Sequence, residues 1–183
     1  MKLDAEWVTG FVDGEGCYHV GIAKHPEMRA GVQVLPEFTV VQHERDAQLL
    51  HALKAFFGCG VVRRNHGARM AYRVRGLEQL GAHIVPFFER HPLKSQKRLD
   101  FDKFRRVVRL MEAGEHLTPE GTARIRAIAA QMNRGRLRES PAPLETGEDE
   151  PSEIPCRVSS DPHERSNELG TVSTEDSAKL KYP

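Results

Sequence analysis

The stretch WVTGFVDGEG, Trp7 to Gly16, decides the reading of this chain. Leu3, Trp7 and Phe11 recur at i, i+4 and i+8 with Val8 and Val12 beside them, the spacing of an apolar helix. Gly10 and Gly14 share one face of that helix, four residues apart. Glycine in a helix interior costs about 1 kcal/mol against alanine, so two at this spacing need a reason, and the usual one is close approach of another backbone. Directly after Gly14 comes Glu15, an acid at the end of an otherwise apolar helix. The alternative is a buried helix whose Asp13 and Glu15 simply point to water.

Outward from the helix, residues 17–24 (CYHVGIAK) alternate strictly, with Tyr18, Val20 and Ile22 on one side and Cys17, His19, Gly21 and Ala23 on the other, the pattern of a half-buried strand. After a loop at 25–31, a second strand spans about 32–41, with Pro36 expected to confine it to an edge or mark a bulge. An amphipathic helix follows over 44–57, closed by Gly58 as C-cap. Two further strands, about 60–65 and 69–75, flank a turn at His66–Gly67. A helix over 77–89 should be broken or kinked by Pro86, another covers about 96–113, and Thr118–Pro119 opens a last one to about 133. The order specifies an α+β domain with four antiparallel strands and the helices on one face.

The strand patterns divide that sheet. Tyr18, Val20, Ile22, Phe38, Val40, Tyr72 and Val74 can pack under the helices. The opposite side carries His19, His25, Thr39, Arg63, Asn65, Arg73 and Arg75. A solvated sheet face alternates in the same way, but three arginines among hydrogen-bonding side chains suit nucleic acid, because strands can lie in the major groove.

Charge is split along the chain. The net charge is +1, but residues 1–138 hold 23 basic and 15 acidic residues, while 139–183 hold 4 and 11. A basic front suggests a polyanionic partner. The boundary is expected at 136: residues 1–136 form the domain and 137–183 an acidic, aromatic-poor tail too sparse in apolar residues to order itself. Cys17, Cys59 and Cys156 form no CxxC pair, so no disulfide framework or zinc site is indicated. No apolar run approaches the ~18 residues of a membrane span, which points to a soluble intracellular protein of the cytoplasm or nucleoid, or of an organelle if the gene is organellar.

WVTGFVDGEG followed by a strand resembles the signature of the LAGLIDADG homing endonucleases. Set on Val8–Gly16, that motif places its glycines on Gly10 and Gly16 and its acids on Asp13 and Glu15, with Gly14 standing for alanine and Glu15 for the second aspartate. The resemblance continues through VVQHERD, HALKAFFGCG, YRVRG, PFFERHPLKSQKRLDF and GEHLTPEG, over about residues 4–133 in the family's order αββαββα plus trailing helices. It implies a site-specific double-strand DNA endonuclease whose strands form a saddle across a long target. In that family two such helices pack together, and the acid ending each holds divalent metal, Mg²⁺ or Mn²⁺, for phosphodiester hydrolysis.

Residue by residue, the resemblance implies Glu15 as metal ligand and catalytic acid residue with the Gly14 carbonyl beside it. It aligns Gln42 with a polar residue that positions water and Lys97 with a basic residue near the scissile phosphate, Lys94 being the fallback. Gln42 as a cap of the next helix and Lys97 as a solvated helix-start residue are the ordinary alternatives. His19, His25, Thr39, Arg63, Asn65, Arg73 and Arg75 become DNA contacts, and Asp13 is structural. One copy of the motif implies a C2 homodimer through Trp7, Gly10, Phe11 and Gly14, and a near-palindromic target. An RNA-binding intron maturase or a cleavage-dead DNA-binding protein on the same scaffold are the competing functions; a generic α+β module would leave the helix glycines and the terminal acid unexplained.

Overall fold

The computed structural model describes residues 1–133; the acidic tail anticipated at 137–183 lies outside the described residues. Helix α1 (Ala5–Glu15) is capped by Asp4, whose side chain accepts from Trp7 N at 2.8 Å. It runs without a loop into strand β1 (Gly16–Lys24). Strand β2 (Val32–His43), helix α2 (Ala47–Phe57), strands β3 (Val61–Arg64) and β4 (Arg69–Val74) follow. The sheet is antiparallel throughout in the order β1-β2-β4-β3. Helices α3 (Leu77–Gln79), α4 (Val85–Arg90), α5 (Lys97–Glu112) and α6 (Pro119–Ala129) complete the described part. The expected αββαββα order and α+β class are realised.

Burial is complete on the helix side of the sheet, and the centre of the other side, at Cys17, Glu37, Thr39, Val41 and Ala71, is buried too. Tyr18, Val20, Phe38, Val40, Tyr72 and Val74 are all buried on one side of the sheet, where Phe57, Phe88, Phe101 and Phe104 from the helices meet them. Tyr18 is the hub: its ring lies 5.3–5.9 Å from Phe38, Phe88, Phe101 and Phe104, distances at which aromatic pairs add to simple area burial. The opposite face is left without a covering element by the described residues.

Two expectations are refined. Pro36 lies in an interior strand, yet β2 pairs with β4 only over Phe38–His43. At Pro36, opposite Val20, the strand has a neighbour on one side alone, so the missing N–H costs no ladder bond there. Pro86 does not break its helix either. A π-turn at Leu80–Ile84 sits immediately before it and joins α3 to α4, the kind of local widening that accommodates an interrupted i→i−4 ladder. Gly58 has φ +68° and its N–H donates to the Lys54 carbonyl at 2.9 Å, closing α2 as expected. Thr118 caps α6 by accepting from Gly121 N.

The α1–β1 junction explains one motif glycine. A Cβ on Gly16 would sit 2.5 Å from Val12 Cγ1 and 2.8 Å from Val12 O. Gly10 and Gly14 differ: a Cβ on either meets nothing among the described residues within 4 Å. Gly16→Ala is therefore expected to lower unfolding stability by about 1–3 kcal/mol through overpacking against the buried Val12, measured by urea denaturation. An unchanged midpoint would show that the junction relaxes freely.

Candidate functional site at the end of the first helix

The outward face of α1 carries Trp7, Gly10, Phe11 and Gly14, while Val8, Thr9 and Val12 are buried beneath it. Trp7 stacks on Phe11 with ring centroids 4.8 Å apart, yet Trp7 remains 39% exposed. An exposed tryptophan on a half-buried phenylalanine, beside two glycines whose Cβ positions would meet none of the described residues, is an unfinished apolar surface.

At the helix end, the backbone and α5 converge on two acids with different roles. Asp13 accepts from Lys94 N at 2.9 Å, from Ser95 N at 2.9 Å and from Ser95 Oγ at 2.5 Å. It thereby caps the turn that leads into α5, which has no side-chain cap of its own at Gln96. Asp13 is structural, as anticipated. Lys97, the first residue of α5, is held by this cap and turns its ammonium back to α1. Its Nζ donates to Val12 O at 3.1 Å and to Gly14 O at 2.9 Å. Burial pushes its pKa below the ordinary lysine value, against the carboxylates of Asp13, Glu15 and Asp100, which favour the charged form. Lys97 is thus a half-buried cation over the helix C-terminus, where the dipole is negative, and not a solvated helix-start residue. Lys94 contributes its backbone N–H to the turn.

Gln42 stands at the same end. Gly16 pairs with Val40, so β2 continues three residues past the start of β1, alongside the end of α1. His43, not Gln42, caps the following 3₁₀ turn, its Nδ1 accepting from Arg45 N at 3.3 Å. The helix-capping alternative for Gln42 therefore falls away.

A single described chain offers one carboxylate, Glu15, and one carbonyl, Gly14 O, at this point. Among the described residues no group of three or more His, Cys, Asp or Glu is placed to hold a metal. The donors are hard oxygens, which suit Mg²⁺ or Ca²⁺ rather than zinc, and Gly14 O already accepts from a cation. The donor set fits a divalent ion in kind, and a second copy of the helix would double it.

The sheet face that no described helix covers sorts the expected contacts. Arg63 is exposed, directly opposite Ala71. Arg73 is half-buried, and Arg75 is exposed one residue beyond the end of β4. His19 pairs with Glu37 across β1 and β2. Three assignments change. Thr39 is buried, and its hydroxyl donates to the Tyr72 carbonyl at 3.1 Å, so it belongs to the ladder and is not presented. Asn65 lies past the end of β3, in the turn, where its Oδ1 accepts from Arg73 Nη2. His25 follows the end of β1, in the hairpin closed by its own N–H to Gly31 O at 3.0 Å. Arg69, exposed and opposite His43, shares the face; the alternation Arg69, Ala71, Arg73 carried that signal.

Comparison with known proteins agrees with this geometry. The family model described as LAGLIDADG endonuclease matches residues 8–108. The homing endonuclease I-TnaI is 55% identical, with a TM-score of 0.72 over 74% of this chain and 92% of that one. I-SmaMI bound to cleaved DNA is 32% identical, with a TM-score of 0.72, and is covered over 52% of its length. Probable intron-encoded endonuclease 2 of Neurospora crassa is 32% identical over 73% of this chain. Homing endonuclease I-ApeII of Aeropyrum pernix is 34% identical over 56% of it. The chain spans 30% and 60% of those two relatives, respectively. No described helix is long and apolar enough to cross a membrane.

The Asp13 cap yields a prediction that separates structure from chemistry. Asp13→Ala is expected to cost about 1–2 kcal/mol, the usual range for losing a charged cap, read by chemical denaturation. A loss below a few tenths would mean that the 94–97 turn holds itself.

Proposed function

We propose that this chain, which belongs to the LAGLIDADG endonuclease family, is a site-specific double-strand DNA endonuclease that works as a homodimer with divalent metal. The observation that carries the reading is the end of α1. There a carboxylate (Glu15), a carbonyl (Gly14) and the half-buried ammonium (Lys97) bound to it stand together, below a helix face where a Cβ on either glycine would meet none of the described residues. An RNA-binding role or DNA binding alone would need the basic sheet but not this cluster.

Pairing supplies what one copy lacks. Gly10 and Gly14 let a second α1 approach along the face where Trp7 lies exposed on Phe11, and a two-fold axis there makes the interface self-complementary. The near-complete cover of I-TnaI, against about half of I-SmaMI, supports a unit that carries one half of a site. Each Glu15, with the Gly14 carbonyl, would hold metal, Mg²⁺ or Mn²⁺, which lowers the pKa of bound water and offsets charge on phosphate oxygens.

The residues then divide the reaction. Hydrolysis adds OH to phosphorus and H to the leaving oxygen, and negative charge grows on the phosphate as the P–O bond breaks. Lys97, already desolvated and fixed by two carbonyls, answers that charge without reorganising. Gln42, at the adjacent strand end, can orient water through its amide. Arg63, Arg73, Arg75 and His19 lie on the face that would meet the duplex, with His25 at the rim, and guanidinium forks match guanine edges or phosphates. The host gene of such a unit is an intron or a free-standing frame, in line with the intron-encoded relatives.

The test is incubation of the purified protein with a duplex library and Mg²⁺ beside Glu15→Gln and Lys97→Met. Site-specific double-strand cuts by the parent are expected, with rates at least about 10²-fold lower in both variants while duplex binding persists. Binding by all three with no cutting by the parent would sink the nuclease reading. Gly10→Leu is expected to sediment as a monomer; a variant still dimeric would place the interface elsewhere.

A further inference from the structure

Glu37 is out of place on a face meant for a polyanion. It is a carboxylate in the middle of the sheet face that no described helix covers, between the rows that present His19 and Arg73, and it is 8% exposed. Phosphate would repel it, and a buried carboxylate without partners is costly. Its partners are the two arginines that read as duplex contacts. Arg75 Nε donates to Glu37 Oε2, and Arg73 Nε lies 3.7 Å from Oε1. Each carboxylate oxygen takes one guanidinium. Arg73 is held a second time, its Nη2 donating to Asn65 Oδ1. The result is a chain Asn65–Arg73–Glu37–Arg75 across β3, β4 and β2.

We propose that Glu37 is a positioning residue for sequence readout: its carboxylate fixes Arg73 and Arg75 to meet guanine edges and keeps them from turning to phosphates. The inference rests on the reading of this sheet as a duplex-binding face. A guanidinium has five donors in a rigid fork. Arg75, anchored through Nε, keeps its Nη edge for a bidentate contact with O6 and N7 of guanine; Arg73, ion-paired to Glu37 and donating Nη2 to Asn65, keeps Nη1 to offer. An unanchored arginine can swing to the nearest phosphate on any sequence. Here such a swing strands Glu37 as a buried, unpaired charge, so the wrong sequence carries the penalty. The carboxylate also lowers the local charge from +2 to +1, which weakens the phosphate attraction common to all sequences. Glu37 trades affinity for discrimination.

The experiment selects binding sites from a randomised duplex library without divalent metal, using the full chain, Glu37→Gln and Arg75→Ala. Affinities for the selected site and for a scrambled duplex are then measured at several salt concentrations. For Glu37→Gln, preference at one or two G·C positions per half-site is expected to fall about tenfold. Its affinity for the scrambled duplex should hold or rise, with a salt slope steeper by up to about 0.9 per protomer. Arg75→Ala removes a side chain that is 63% exposed, and is expected to lose preference at one of those same positions. Because Arg75→Ala leaves the core untouched, it reads the proposal even if Glu37→Gln folds poorly. An unchanged profile in Glu37→Gln, a uniform weakening at all positions, or an effect of Arg75→Ala confined to other positions would each overturn the proposal. If the parent itself selects no duplex, the DNA-binding reading fails and takes this one with it.

Discussion

The absence of any loop between α1 and β1 is the constraint on which the rest depends. The helix ends at Glu15 and the strand begins at Gly16, so the acid has no freedom apart from its own side chain. Gly16 makes the turn because any Cβ there would strike Val12, and Val12 is fixed in the core at 0% exposure. The position of the Glu15 backbone is therefore inherited directly from the hydrophobic core. Such inheritance is what a site needs when reacting groups must be held to a fraction of an ångström.

The same junction is clamped from the other side of the sequence. Asp13 orders the turn at 94–96, and that turn delivers Lys97 back to Val12 O and Gly14 O. The turn lacks a cap without Asp13, and the ammonium, desolvated as it is, is tolerated because two carbonyls and three nearby carboxylates compensate it. Two acids two residues apart thus do different work: one is spent on architecture, and the other is left open.

Much of this was legible in the sequence, for identifiable reasons. Alternation at Tyr18–Val20–Ile22 and Phe38–Val40 set the strand faces, because a slip of one residue would put every one of those side chains in water. Gly58, Thr118 and Pro119 marked helix ends through local backbone chemistry that tertiary context did not override. What remained hidden was contact between distant segments. Nothing in the alternation shows that the Thr39 hydroxyl is spent on Tyr72 O, or that Glu37 lies between Arg73 and Arg75, since both depend on the β2–β4 register. The His43 cap likewise required the strand to run two residues further than its apolar pattern. The fate of Pro86 depended on a π-turn that single-residue propensities do not encode.

These hidden contacts are all polar, and this bears on how a basic sheet can be selective. A face lined with free arginines would bind any duplex by counterion release alone. Here the two arginines nearest the centre are engaged, Arg73 and Arg75 by Asn65 and Glu37. Arg63 and Arg69 stand exposed toward the ends of the strands. Cations fixed by acceptors in the middle of the sheet are flanked by exposed ones, an arrangement that under the proposed reading would hold the centre to one geometry and leave the rim to phosphates. That division mirrors the helix end, where an ammonium is also fixed before any ligand arrives. In both places the chain spends acceptors from its own backbone and side chains to fix the direction of a positive charge in advance, so that binding has less left to reorganise.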